Sequence, residues 1–251
     1  MNSRTTMKLK VLIRKIICKY FLPKAQIIYS QSGEDLILSH LFSKLGIKNP
    51  RYLDIGANEP KYISNTYRFY EQGSRGVLIE PNPYLFLKLK KKRSEDIVLN
   101  VGVGLTNEAE ADFFLFPNSA NGLSTFSKKD AMYWQEVGLK GIGKIHFEKV
   151  IKVCLLPVNN ILQQYFTGSN KKVNLISIDV EGLDFAILKS IDFNQFRPEV
   201  ICIETLQYDE NQNEFKNRDV LEFMLGIEYM MYADTRVNTI FCRKDAFIKI
   251  S

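Results

Sequence analysis

The chain has 251 residues, of which 45% are hydrophobic and 25% charged, and a formal net charge of +6. That length suits one α/β domain, and so large an apolar share excludes a disordered chain. The excess charge does not describe a nucleic-acid surface, because seven basic residues and no acid fall within residues 1–25 and the remainder is nearly neutral.

In the basic segment Leu9, Leu12, Ile13, Ile16, Ile17 and Tyr20 recur at helical spacing, opposite Arg4, Lys8, Lys10, Arg14, Lys15, Lys19 and Lys24. The pattern predicts an amphipathic helical extension over 1–25, suited to an anionic membrane surface or to packing on the domain or a partner. Arg14, Lys15 and Lys19 interrupt the apolar run and no small-residue cleavage site follows, which argues against a signal peptide. No stretch of about 18 apolar residues exists to span a bilayer. The expected location is the cytoplasm, peripheral at the inner face of the membrane if 1–25 lies on lipid rather than packing on protein.

Residues 26–251 read as a single domain. A helix is expected over 30–46, capped by Ser30 or Ser32 and ended by Gly46. Strand 51–55, helix 64–72, strand 76–80, helix 84–93 and strand 97–101 follow in alternation. The five basic residues of 84–93, Lys88, Lys90, Lys91, Lys92 and Arg93, read as a solvated face and a helix C-terminus complementing the dipole. An insertion around 105–157 then breaks the rhythm with strand 111–116, polar loop 117–127, helix 129–137 and strand 149–157. Helix 158–166, strand 173–179, helix 183–190, strand 200–204 and helix 218–225 resume it, and strands 227–232 and 237–243 close the chain. The alternation predicts a doubly wound, mostly parallel sheet with an antiparallel strand added at its edge by the terminal hairpin. Cys18, Cys154, Cys202 and Cys242 lack CxxC spacing, and the last three lie in apolar runs, so buried thiols are expected.

Acids stand where the parallel strands end: Asp54 in YLDIGAN, Glu80 in GVLIEPNP, and Asp179 and Glu181 in LISIDVEG. Ligands of open α/β sheets bind at that carboxyl edge, beside the switch in strand order. The first loop, Asp54-Ile55-Gly56-Ala57-Asn58-Glu59-Pro60, has one glycine and two acids, whereas a pyrophosphate cradle needs G-x-G-x-x-G. A cofactor with an amino-acid end, a sulfonium and a nucleoside fits better, namely S-adenosylmethionine. Gly56 would admit its close approach, Asp54 would meet its ammonium directly or through water, and Glu80, 26 positions after Asp54, would grip the ribose hydroxyls.

The series YSQSGEDLIL, YLDIGANEP with SNTY, GVLIEPNP, NVGVG, NGLSTF, ISIDVEGLDFAILKS and EVICIE, over roughly residues 28–205, resembles the FkbM family of methyltransferases. The resemblance implies a class I methyltransferase-like, Rossmann-like fold, S-adenosylmethionine as donor, and O-methylation of a hydroxyl on a sugar, glycan or related precursor, as in polysaccharide biosynthesis. Members commonly carry a glycine-richer first loop, from which Glu59-Pro60 departs. The expected cofactor-binding set is then Asp54, Gly56, Ala57, Asn58, Glu80 and Gly102 of NVGVG.

For chemistry the candidates are Asp179 and Glu181, two positions apart and so on one side of an extended segment. Asp179 is the favoured general base and Glu181 its partner or a clamp on a substrate hydroxyl. A divalent metal such as Mg²⁺ on the pair is the rival account, with Glu204, Asn118 or Asn121 as further ligands. His40 reads as a packed or surface residue. His146, Tyr133 and Trp134 lie in the insertion, where they would either meet substrate or pack together. Two other functional classes remain: a nicotinamide-dependent oxidoreductase or epimerase, weakened by the missing glycine cradle, and a non-catalytic membrane-surface adaptor on the same fold.

Overall fold

The computed structural model describes residues 26–106, 108–138, 142–168, 172–180, 182–208 and 213–248. The expected basic helix at 1–25 and Glu181 lie outside them. Among the described residues no helix is long and apolar enough to cross a membrane.

The first elements in order are α1 (Glu34–Lys44), β1 (Tyr52–Ile55), α2 (Tyr67–Glu71), β2 (Gly76–Ile79), α3 (Pro83–Lys92), β3 (Ile97–Leu99) and β4 (Gly102–Gly104). The insertion holds β5 (Glu110–Leu115), a 3₁₀ turn (Asn118–Leu123) and α4 (Lys128–Glu136), and returns through β6 (Lys149–Pro157). The core resumes with α5 (Val158–Tyr165), β7 (Leu175–Ile178), α6 (Asp184–Ser190) and β8 (Val200–Glu204). Then come β9 (Leu206–Tyr208), β10 (Glu214–Lys216), α7 (Arg218–Gly226), β11 (Tyr229–Asp234), β12 (Asn238–Arg243) and α8 (Lys244–Ile248).

Seven strands form the central sheet in the order β11-β12-β8-β7-β1-β2-β3. From β8 to β3 all pairs are parallel, while β12 runs antiparallel to both β8 and β11. The terminal hairpin therefore supplies the antiparallel pairs expected at this edge. Order reverses at β1, whose register sets Asp54 beside Ser177 of β7 on one flank and Leu78 of β2 on the other. That reversal is the topological switch point.

Period-two alternation divides the apolar residues between two layers. Leu53, Ile55, Val77, Ile79, Ile176 and Ile178 meet Ile161, Leu162, Ile187, Leu188, Val220 and Met224 of α5, α6 and α7 on one face. Tyr52, Leu78, Leu175, Val200 and Cys202 meet Leu38, Leu41, Phe42, Phe69 and Leu89 of α1, α2 and α3 on the other. Burying such side chains at roughly 1.5–3 kcal/mol each makes this two-sided core the main stabilising term.

Several elements differ from expectation. The first helix starts at Glu34 behind Gly33, in a left-handed conformation, and Ser32 caps nothing. Ser30 stays outside the helix but does the capping expected of it, its Oγ accepting from the N–H groups of Gly33 and of Asp35 in the first turn. Residues 118–123 form a 3₁₀ turn kinked at Ala120 where a loop was expected. The β9–β10 hairpin lies in a stretch with no alternating pattern. Cys202 and Cys242 are buried, but Cys154 is exposed on β6. Arg93, expected at the solvated end of its helix, is fully buried.

Candidate active site

The first loop leaves β1 and folds over β2, the N–H groups of Gly56 and Ala57 both donating to the Ile79 carbonyl at 3.0 and 3.1 Å. Asp179, one residue beyond β7, still donates its N–H to the Ile55 carbonyl at 3.0 Å. This brings its own carbonyl against Gly56, where a Cβ would sit 1.8 Å from the Asp179 oxygen. Gly56 also has φ +84, so the crossing demands glycine twice over, by space and by conformation. One glycine suffices because the loop has to clear a neighbouring strand end.

Asn58, at φ 50, donates its N–H to Glu80 Oε2 at 2.8 Å, and Asn82 N–H donates to Glu80 Oε1 at the same distance. Glu80 therefore ties the first loop to the turn after β2, leaving each oxygen one further lone pair. Asn100 Nδ2 holds that turn from below, donating to the carbonyls of Glu80 and Pro81 at 2.8 and 2.9 Å. Burial pushes the Glu80 carboxyl up to about 7, against the two backbone donors that favour its charge. Asn58 Oδ1 is buried without any hydrogen-bond partner, at a position where such an atom costs about 1–3 kcal/mol if nothing satisfies it.

Asp54, placed by sequence at the ammonium, faces elsewhere. Period two sets it on the Tyr52 face of β1, away from Ile55, and its Oδ2 accepts from Thr66 Oγ1 at 2.5 Å. Beneath it lies a buried polar network. Arg93 donates from Nε to Asp96 at 2.8 Å, from Nη1 to Thr66 Oγ1 at 2.9 Å and from Nη2 to the Tyr52 hydroxyl at 2.9 Å. The Tyr52 hydroxyl in turn donates to Asp96 at 2.9 Å. Burial raises both Asp54 and Asp96, with Arg93 opposing, and burial working against the Arg93 charge is outweighed by Tyr52, Asp96 and Asp54 around it. Ala57 is likewise buried in that layer, leaving its backbone to shape the loop.

On the far side of the switch point Asp179 is half-buried. The turn after it is tied down by Asp184, whose carboxylate accepts from the N–H groups of Val180 and Gly182, both at 3.0 Å. Asp184, the first residue of α6, thus fixes the loop between β7 and the helix, and the Leu183 position before it carries no side-chain cap. Gly102 completes the crevice, buried beside Phe126 and Leu155. The structure therefore brings together Gly56, Asn58, Glu80, Gly102 and Asp179 at one edge and sets Asp54 apart from them.

The remaining candidates fall outside this group. His40 and His146 are exposed, and Tyr133 and Trp134 pack edge to face at 5.1 Å. Among the described residues no group of three or more His, Cys, Asp or Glu is placed to hold a metal ion. A wider cavity of about 610 Å³ opens beyond the carboxyl end of β8, between Leu206, Glu214, Phe215, Lys216, Arg218 and Arg236. Asn100, Asp184 and Arg93 were missed from sequence; Asp184, two residues after Gly182 and opening a helix, carried a legible signal as an acid that can accept from a tight turn before it.

A parallel sheet reversing at β1, an antiparallel β12 beside β8 and acids at the carboxyl edge define a class I methyltransferase-like α/β domain. The profile of the methyltransferase FkbM domain matches residues 54–232, and the chain belongs to that family. No curated protein matches the chain. Solved structures with a similar course include a putative caffeoyl-CoA O-methyltransferase from Staphylococcus aureus, at 9% identity over 96% of this chain and 100% of that one, with TM-score 0.45. A TehB-like SAM-dependent methyltransferase from Corynebacterium glutamicum is 10% identical over 97% and 100%, with TM-score 0.41. The Burkholderia thailandensis 1,6-didemethyltoxoflavin-N1-methyltransferase, solved with S-adenosylhomocysteine, is 12% identical over 94% and 88%, with TM-score 0.39. Likeness this distant carries no conclusion about cofactor or acceptor.

Proposed function

We propose that the domain transfers a methyl group from S-adenosylmethionine to a hydroxyl of a sugar, glycan or related precursor. The observation that carries the cofactor assignment is the Glu80 carboxylate at the carboxyl end of β2, tied by the N–H groups of Asn58 and Asn82 with one lone pair left on each oxygen, in a loop where Asn58 Oδ1 is also buried and unpartnered; such acceptors suit hydroxyl and ammonium donors. A phosphate would find there an acid and an oxygen lone pair in place of bare N–H groups. Gly56, Asn58, Glu80 and Gly102 would hold the cofactor, which supplies an electrophilic methyl on a cationic sulfur.

The chain's own task is to seat the acceptor and take its proton. Asp179 borders the crevice where β1 and β7 part, and its carboxylate is the base to which the acceptor hydroxyl gives up its proton. A positioned base is worth roughly 10²- to 10⁴-fold, and alignment of the reacting groups contributes much of the remainder. Screening sugar nucleotides and oligosaccharides with a radiolabelled methyl donor identifies the acceptor. With it in hand, Asp179→Asn is expected to bind S-adenosylhomocysteine within a few-fold of wild type and to lose at least about 10²-fold in transfer. Undiminished transfer by the variant contradicts the role given to Asp179.

A further inference from the structure

The crevice at the switch point is nearly shut. Its walls are Gly56, Ile79, Pro81, Gly102, Val180 and Leu183, and they leave a free volume of about 20 Å³. That is room for about one water molecule, against roughly 300–1,000 Å³ for sites that take small organic ligands. One side chain that lines it, Phe126, comes from the insertion and not from the sheet. A Cβ on Gly102 would lie 2.5 Å from Phe126 Cζ and 3.0 Å from Cε2, so the ring rests on bare glycine backbone. Its other support is Phe113, with ring centroids 4.6 Å apart.

We propose that Phe126 is a side-chain gate on the nucleoside end of the cofactor site, its ring standing in the slot that the purine takes. The inference rests on assigning this crevice to S-adenosylmethionine. The backbone around the ring is fixed on both sides. Thr125 exchanges two backbone hydrogen bonds with Phe114, at 2.9 and 3.2 Å. Ser127 N–H donates to Thr125 Oγ1 at 3.0 Å, and Ser127 Oγ caps α4 by accepting from Asp130 N–H at 3.2 Å. Opening is therefore a rotation of the Phe126 side chain, with residues 125 and 127 held in place. A site competent only when the ring is out binds with its intrinsic affinity divided by the open fraction, and removing the ring abolishes that reduction.

The sign of the effect separates a gate from a stacking platform. Calorimetric titration of the full chain with S-adenosylhomocysteine is expected to give a dissociation constant at least threefold lower in Phe126→Ala than in wild type. Phe126→Leu, which keeps an apolar contact for Phe113, is expected to fall between the two and decides the matter alone should the alanine variant not fold. Equal or weaker binding by the folded variants overturns the gate. Failure of the wild-type chain to bind S-adenosylhomocysteine overturns instead the cofactor assignment beneath it.

Discussion

At the scale of single residues, Glu80 does two jobs with one carboxylate. It accepts the N–H groups of Asn58 and Asn82, and one lone pair on each oxygen is left over for the proposed ligand. Burial lifts it from 4.5 to about 7, so folding takes up a proton wherever the unfolded chain is already ionised. Stability attributable to Glu80 thus falls as pH climbs from about 4.5 to about 7, by on the order of 3 kcal/mol, and levels off above. In the proposed binding mode ribose hydroxyls would donate to the ionised form, so cofactor binding would reverse that uptake. Affinity for S-adenosylhomocysteine is expected to rise by up to about tenfold between pH 6 and pH 8, and Glu80→Ala to bind more than tenfold more weakly at pH 8 with a flat profile. Calorimetry at the two pH values checks both, and a variant with wild-type affinity removes Glu80 from the site. Asp54 teaches the opposite lesson. The strand period, read strictly, already set it with Tyr52 and against Ile55, but acidity at a strand end outweighed periodicity in the reading of YLDIGAN.

At the scale of elements, the end of α3 is held by its least expected residue. Arg93 follows four positions that include Lys90, Lys91 and Lys92, and nothing local distinguishes it from them. Of its partners Asp96, three residues on, is local, but its burial depends on distant ones, Tyr52 on β1 and Thr66 before α2, which no pattern within the helix announces. Replacing it with methionine leaves Asp54 and Asp96 buried without a counter-charge. Arg93→Met is therefore expected to lower the unfolding free energy by about 3–5 kcal/mol, measurable by urea denaturation. A loss below about 1 kcal/mol would mean that water reaches the two acids. Strands rich in Val, Ile and Leu were legible to the residue, as Lys149–Pro157 and Val200–Glu204 are. The β9–β10 hairpin was not, because three-residue strands in a polar stretch present no period to read. The 3₁₀ turn at Asn118–Leu123 was hidden for the same reason, since short i→i+3 turns use loop residues.

At the scale of the whole molecule, the doubly wound plan was legible because its alternation is strong, and the crevice followed from the plan. Strand order β11-β12-β8-β7-β1-β2-β3 puts Gly56, Glu80 and Asp179 at adjoining strand ends although they are far apart in sequence. What sequence did not reveal was how the insertion meets the sheet, with Phe126 laid on Gly102, because that contact depends on the three-dimensional return of β5 and β6 over β4. The central claim is that this edge receives S-adenosylmethionine and not a dinucleotide. Calorimetric titration of the wild-type chain with S-adenosylhomocysteine and, separately, with NAD tests it most directly. Saturable one-to-one binding of S-adenosylhomocysteine with no heat from NAD is the predicted result; binding of NAD, or of neither, would contradict it.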